Sequence, residues 1–249
     1  MKRGDLAQIR MQYYWGRLFI FIAAPLLALL IRMLGYRIRN LTAIRERIDA
    51  YYKAHPGPWM ICANHLTMVD SFIICYAMFP FYQYMVEYRR VPWNVPEKLN
   101  FNRNIFLTAV CYLLKCIPII RGGEREIIHS FFLKCSYLFD KRETLMIFPE
   151  GSRSRTGRIE PESVSYGPGR LLSGRTDCRV LCVYLRGDHQ SGYGVYPQKN
   201  EGFYMAVDLL MPAVAQKGLR VQREISRKII GKLEEMERAY FETRRKRYH

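Results

Sequence analysis

The sequence predicts an α/β fold: a central mixed sheet flanked by helices and preceded by an N-terminal helical segment that associates with a membrane. Three observations carry this expectation. Short apolar runs of strand length alternate with longer stretches at helical spacing, loops rich in polar side chains follow several of those runs, and one longer apolar run stands near the N-terminus. The chain has 249 residues, of which 49% are hydrophobic, enough for one sizeable core. Residues 1–50 are expected to form the membrane-associating segment and residues 51–249 the α/β domain with a C-terminal amphipathic helix.

The N-terminal run Leu18–Ile31 is 14 uncharged residues closed by Arg17 and Arg32. As a helix it covers about 21 Å, short of a hydrocarbon core of about 30 Å, and Pro25 would kink it. No small-residue cleavage site follows, which argues against a secretory signal. Nine Lys or Arg against three acids in residues 1–50, with Tyr13, Tyr14 and Trp15 at the edge of the run, favour a re-entrant or interfacial helix over a buried core helix.

The remaining elements follow in order. Pro58–Ala63 reads as a buried strand ending at Asn64-His65, and Thr67 to Met78 as a helix that Thr67 or Asn64 would cap. Pro80–Asn102, rich in aromatics, Pro and Asn, reads as an irregular surface excursion. A helix over Arg103–Lys115 leads to a strand over Cys116–Ile120, stopped by Arg121-Gly122-Gly123. A helix over Arg125–Lys141 has Ile127, Ile128, Phe131, Cys135, Leu138 and Phe139 on one face. Strands are expected at Thr144–Phe148, Arg179–Leu185 and, more weakly, Tyr204–Leu210. From Arg220 to Arg244, Val221, Ile225, Ile229, Leu233, Met236 and Tyr240 recur at spacings of three and four, as in an amphipathic helix docked on the body.

Charge and cysteines narrow the function classes. Lys and Arg total 39 against 22 Asp and Glu, a net charge of +17, so the surface meets anions. Seven cysteines without a CxxC pair argue against a disulfide framework and a structural zinc site, and point to the reducing, cytoplasmic face of a membrane. No stacking aromatics interleave with basic repeats, so no nucleic-acid partner is expected. No nucleophile elbow of a hydrolase is present. A non-catalytic basic membrane-binding protein would explain the N-terminus but not the paired motifs that follow.

The first motif is Asn64-His65-Leu66-Thr67-Met68-Val69-Asp70. Residues five apart in one helix point about 140° from each other, so His65 and Asp70 can meet only if His65 precedes the helix and Asp70 sits in its first turns. The carboxylate would then hold the imidazole tautomer and leave the other ring nitrogen to take a proton. The second motif is Phe148-Pro149-Glu150-Gly151-Ser152-Arg153-Ser154-Arg155, an acid, a glycine, hydroxyls and arginines in a loop after a strand, suited to anions. The third is Ile117-Pro118-Ile119-Ile120-Arg121.

In this order and spacing the three motifs resemble the signatures of the glycerolipid and lysophospholipid acyltransferase superfamily, over about Pro58–Leu185. The resemblance implies that His65 is the general base and Asp70 its orienting partner. It implies that Glu150 and Gly151 shape the acceptor and acyl site, and that Arg121 and Arg153 contact substrate phosphate, with Asn64, Thr67 and Ser152 in the same binding region. It also implies transfer of an acyl group from acyl-CoA or acyl carrier protein to a lyso-lipid hydroxyl, 1-acyl-glycerol-3-phosphate first, in phospholipid biosynthesis. No cofactor or metal is then expected, and the partners are membrane lipids and the acyl donor, at the inner membrane of a bacterium. Two departures stand out. Ser165-Tyr166-Gly167-Pro168-Gly169-Arg170 lacks the usual Lys, with Arg170 as its replacement, and Val180-Leu181-Cys182-Val183 lacks the usual proline. Another acceptor, a lyso-aminolipid or a pathway-specific lipid, is the alternative.

Overall fold

In a computed structural model, residues 3–97, 104–120, 122–212 and 216–248 are described. The elements are α1 (Arg3–Met33), β1 (Arg37–Ile38), α2 (Leu41–Ala54), β2 (Trp59–Ala63), α3 (Asp70–Met78), α4 (Phe81–Val86), β3 (Trp93–Asn94), α5 (Ile105–Leu113), α6 (Arg125–Asp140), β4 (Thr144–Ile147), α7 (Gly167–Leu172), β5 (Arg179–Gly187), β6 (Gly202–Leu210) and α8 (Leu219–Tyr248). The six strands form one sheet in the order β1-β6-β5-β2-β4-β3. β5 and β6 are antiparallel and the other neighbours are parallel, so the sheet is mixed, as the sequence predicts.

Strand alternation sorts the core into two layers. Met60 and Cys62 of β2 join Val180, Cys182 and Tyr184 of β5 on one face, covered by α6 and α8. Trp59, Ile61 and Ala63 join Leu181, Val183 and Leu185 on the other, covered by α1, α2 and α3. Every residue of β2 is buried, as befits a strand covered on both faces.

α1 is a single helix of 31 residues that contains Pro25, more than twice the length of the apolar run. Ile20, Ala24, Ala28 and Ile31, at spacings of four, four and three, are buried against the sheet layer. Tyr14, Trp15, Leu18, Phe21, Ile22, Leu26, Leu29, Leu30 and Met33 are exposed on the outward side. The helix is thus half core and half unpartnered apolar face. By length and composition α1 is able to cross a membrane, with 28% of its most apolar window buried.

Three expectations are corrected. The stretch from Pro80 is not a surface excursion over its described part: it holds α4, a 3-10 turn at Tyr88–Arg90 and β3, and it buries Tyr84, Tyr88 and Trp93. Three of its five described aromatics are therefore core, while Phe81 and Tyr82 stay exposed. Cys116–Ile120 forms no regular strand. It makes only two isolated parallel bridges, Asn94 to Cys116 and Glu97 to Ile119, because two prolines (Pro96 and Pro118) remove ladder donors there. Finally, neither Asn64 nor Thr67 caps α3, whose N-cap is Val69 without a side-chain bond. Both side chains are used elsewhere, as described below. The helices α2 and α7 had no counterpart in the sequence reading.

Lys115, with left-handed φ of 56°, is fully buried beneath α1. Its Nζ donates to Glu143 Oε2 at 2.7 Å and to the carbonyls of Tyr88 and Val91 at 3.0 Å, among the rings of Tyr13, Tyr88 and Trp93. Glu143 also accepts the Trp93 indole N–H at 2.9 Å. The pair joins α1, β3, the start of the 116–120 segment and β4. Burial lowers the Lys115 ammonium pKa to about 8, opposed by Glu143. Removing one partner strands a buried charge, so Glu143→Ala is expected to destabilise the fold by about 3–5 kcal/mol. Urea unfolding followed by far-UV circular dichroism measures this, and an unchanged midpoint would refute the structural role.

Candidate active site

β2 and β4 are parallel neighbours with Cys62 opposite Ile147. Their chains therefore leave the sheet at the same edge, which places Asn64-His65 beside Phe148-Pro149-Glu150 although 85 residues separate His65 from Glu150. Asn64 extends β2 by one position through its side chain. Its Nδ2 donates to the Leu185 carbonyl at 2.9 Å and its Oδ1 accepts the Leu185 N–H at 2.7 Å, in place of strand backbone. The chain then turns, and α3 starts at Asp70.

The turn closes on the Asp70 carboxylate. Oδ2 accepts the Leu66 N–H at 2.7 Å, the Thr67 N–H at 2.8 Å and His65 Nδ1 at 3.0 Å, while Oδ1 accepts the Thr67 hydroxyl. A carboxylate accepts only, so Nδ1 carries the ring proton and Nε2 is left as the acceptor. This is the arrangement that the five-residue spacing required. Asp70 is buried, whereas the His65 side chain retains 21% of its exposure, so the imidazole is reachable and its partner is not. The imidazole stacks on Phe148 at 4.0 Å between centroids and 19° between planes, which fixes the ring plane.

Glu150 joins this turn from the other loop, its Oε1 accepting the His65 N–H at 2.9 Å. Burial raises its pKa to about 8, opposed by the His65 N–H and reinforced by Glu237 and Asp70. Gly151 follows with φ of 75°, a left-handed conformation that favours glycine, and its N–H closes the turn onto Phe148 at 3.0 Å. Ser154 N–H donates to the His65 carbonyl at 2.9 Å, so the two loops are bonded on both sides of His65. Ser152 is exposed beside the turn.

Arg153 donates to the Gly194 carbonyl at 2.8 Å and lies 5.6 Å from the Tyr193 ring centroid. The 188–200 segment in turn covers the first motif, with Gly194 N–H on the Leu66 carbonyl at 3.0 Å and Met68 N–H on the Val195 carbonyl at 3.1 Å. Arg170 is not brought to this group: it lies on α7 with its guanidinium 4.0 Å from the Phe132 ring of α6. Arg121 lies outside the described residues.

Residues that the sequence reading did not single out hold the loops in place. Glu237 of α8 accepts the Ile159 N–H at 3.3 Å and Arg158 Nε at 3.1 Å, and lies 3.9 Å from Arg186 of β5. Arg186 donates to the carbonyls of Gly157 and Gln190, one on each covering loop. Both are buried ionic groups, and nothing in the local sequence marks either one. Among the described residues no group of three or more His, Cys, Asp or Glu is placed to hold a metal.

A cavity of about 810 Å³ lies away from this group, and neither His65 nor Glu150 lines it. It runs between Ile9 and Gln12 of α1, Tyr112 of α5 and Phe131 of α6, and reaches Ile119 and Ile120 at the end of the third motif. The family model described as Acyltransferase matches residues 37–215. No curated protein matches the chain.

Because Glu150 holds its proton more tightly in the fold than in the unfolded chain, stability is expected to fall as pH rises from about 4.5 to 8. One such group contributes a slope of at most about 1.4 kcal/mol per pH unit. Thermal unfolding of wild type and Glu150→Gln across this range tests it. The variant should show a shallower decline, and equal slopes would refute the assignment.

Proposed function

The chain belongs to the acyltransferase family, and from that premise we propose that it moves a fatty acyl group from acyl-CoA or acyl carrier protein to the free hydroxyl of a lyso-lipid in phospholipid biosynthesis. The observation that carries the reading is the His65–Asp70 contact beside Glu150. His65 Nε2 takes the proton of the acceptor hydroxyl as that oxygen attacks the thioester carbonyl, and Asp70 stabilises the imidazolium that forms. The carbon–sulfur bond then breaks, and the leaving thiolate takes the proton back from His65. The chemistry needs no acyl-enzyme, so neither Ser152 nor any cysteine is assigned a nucleophilic role. The five buried or nearly buried thiols Cys62, Cys75, Cys135, Cys178 and Cys182 have their pKa values pushed well up by burial, which makes them poor nucleophiles.

Arg121 and Arg153 are assigned to the acceptor phosphate, which favours 1-acyl-glycerol-3-phosphate. Arg170 supports that acceptor only by leaving Phe132, so a lyso-lipid with a different headgroup is the second reading. Glu150 and Gly151 frame the acceptor hydroxyl. The cavity along α1, α5 and α6, where Ile9, Ile117, Ile119, Phe131 and Leu133 line part of the wall, is suited to the acyl chain of a substrate. The outward face of α1 fits insertion into one leaflet, with Tyr14 and Trp15 at headgroup level and Arg10 and Arg17 on anionic lipid.

His65→Ala is expected to lower lipid-dependent thiol release from an acyl thioester by about 10² to 10⁴. Asp70→Asn should cost somewhat less, and near-normal turnover in folded His65→Ala would sink the mechanism. Membrane association is tested with Leu18→Asp, Phe21→Asp, Ile22→Asp and Leu26→Asp combined, which leaves the buried side of α1 intact. The variant should move from the membrane pellet to the supernatant, whereas high salt should leave wild type in the pellet. Release of wild type by salt alone would count against leaflet insertion.

A further inference from the structure

α5 ends in a turn that sets two cysteines side by side. Leu114 is its C-cap, Lys115 is left-handed with φ of 56°, and the Cys116 N–H donates back to the Cys111 carbonyl at 3.0 Å. A helix end closed by such a six-residue bond brings the side chains of its first and last residues against each other. The path from one Cα to the other through the bond is about 7 Å at full stretch, and its bend brings the pair within the roughly 4.4–6.8 Å of a disulfide. Cys116 Sγ lies 3.9 Å from the Leu114 carbonyl oxygen, so its thiol faces the helix end. The thiols interact there. The hydrogen bond with Cys116 lowers the Cys111 pKa, while the same contact and burial raise that of Cys116.

The turn is also anchored from outside. Gln12 of α1 donates to the carbonyls of Tyr112 and Cys116 at 2.9 Å each, and Lys115 between them is held by Glu143. Neither anchor uses a thiol, so the backbone keeps the two sulfurs together whether or not they are joined.

A cysteine at a helix end is often a small apolar filler. Contrast with the other five sets this pair apart. Cys111 and Cys116 both line the cavity along α1, α5 and α6, which reaches solvent past the exposed Gln8 and Thr108. Both keep part of their exposure, whereas Cys62, Cys135, Cys178 and Cys182 are buried. Burial pushes Cys75, Cys178 and Cys182 up to about 12, so these thiols keep their protons at neutral pH. Cys62 and Cys182 stand opposite each other across β2 and β5, but both are fully buried and sealed from an aqueous reagent.

We propose that Cys111 and Cys116 are a redox-active dithiol that a hydroperoxide entering the cavity converts into a reversible intramolecular disulfide. The assignment does not depend on the transferase reading. With hydrogen peroxide, the Cys111 thiolate attacks one oxygen and the O–O bond breaks. The sulfur keeps that oxygen as a sulfenic acid, and the other oxygen leaves as water. The Cys116 thiolate then displaces the sulfenic oxygen as a second water and forms the S–S bond. Two thiols and one peroxide give one disulfide and two waters, with two electrons passing from sulfur to oxygen. Four residues separate the cysteines, so closing the ring removes little chain entropy and a small thiol reopens it by exchange.

The test is peptide mapping by mass spectrometry of the full chain, reduced, treated with one equivalent of hydrogen peroxide and quenched by alkylation. Cleavage after Lys115 places the two cysteines on different peptides, so the bond is read as a cross-link. The expected product joins Cys111 to Cys116, leaves five of the seven thiols open to alkylation, and is reversed by dithiothreitol. It should form at least about tenfold faster than oxidation at any other cysteine, and unfolding in urea should remove that preference. Cys116→Ser should stop at a Cys111 sulfenic acid trapped by dimedone, and Cys111→Ser should show no comparably fast oxidation. A main product that joins other cysteines or two chains overturns the proposal, as does oxidation of the pair no faster than of the buried thiols. Equal selectivity in urea would trace the bond to the short spacing and not to the helix end, and overturns it as well.

Discussion

The buried Asp70 carboxylate is the constraint around which the candidate site is arranged. Four donors converge on it from Leu66, Thr67 and His65, all within five residues of chain. Without that acceptor, two backbone N–H groups and a hydroxyl would be buried unpaired, at a cost of about 1–3 kcal/mol each. The turn between β2 and α3 thus has one conformation, and that conformation points His65 Nε2 outward. In the proposed mechanism folding and function use the same carboxylate, so a change at Asp70 would act on the loop as well as on the proton transfer.

The second loop is held to the first by charge and by backbone. Glu150 and Ser154 grip the His65 backbone from either side, while Arg186 and Glu237 tie the 157–159 and 188–190 stretches to β5 and α8. These groups lie in a low-dielectric interior, where satisfied polar networks are rigid and half-satisfied ones are costly. α8 therefore has two faces with separate duties. Its buried side closes the network behind the site loops, and its outer side is strongly basic, with Lys228 paired to Glu224 and Lys232 to Asp208. α1 repeats the division with apolar residues in place of charge.

Much of the architecture was legible because it is written in local periodicity. Short apolar runs stopped by turn residues marked β2, β4 and β5, spacings of three and four marked α6 and α8, and a five-residue gap across a strand–helix junction left room for the His65–Asp70 contact that the family resemblance implied. Legibility failed where tertiary burial overrode composition. The Pro- and aromatic-rich stretch after Pro80 reads as loop, yet Tyr84, Tyr88 and Trp93 are core. Lys115 and Glu143 look like surface charges and are buried together. Asn64 and Thr67 look like helix caps, but one replaces strand backbone and the other serves Asp70.

By itself the sequence determined the α/β class, the family resemblance and the pairing of His65 with Asp70, because each depends on residues close together in the chain. Only the tertiary structure decided that Glu150 grips the His65 backbone, that Arg170 rests on Phe132 while Arg153 meets Gly194, and that α1 is half core and half open apolar face. Those are matters of which strand lies beside which and which side of a helix finds a partner. They are settled by the burial of β2 between β4 and β5, and no local pattern of residues encodes that adjacency.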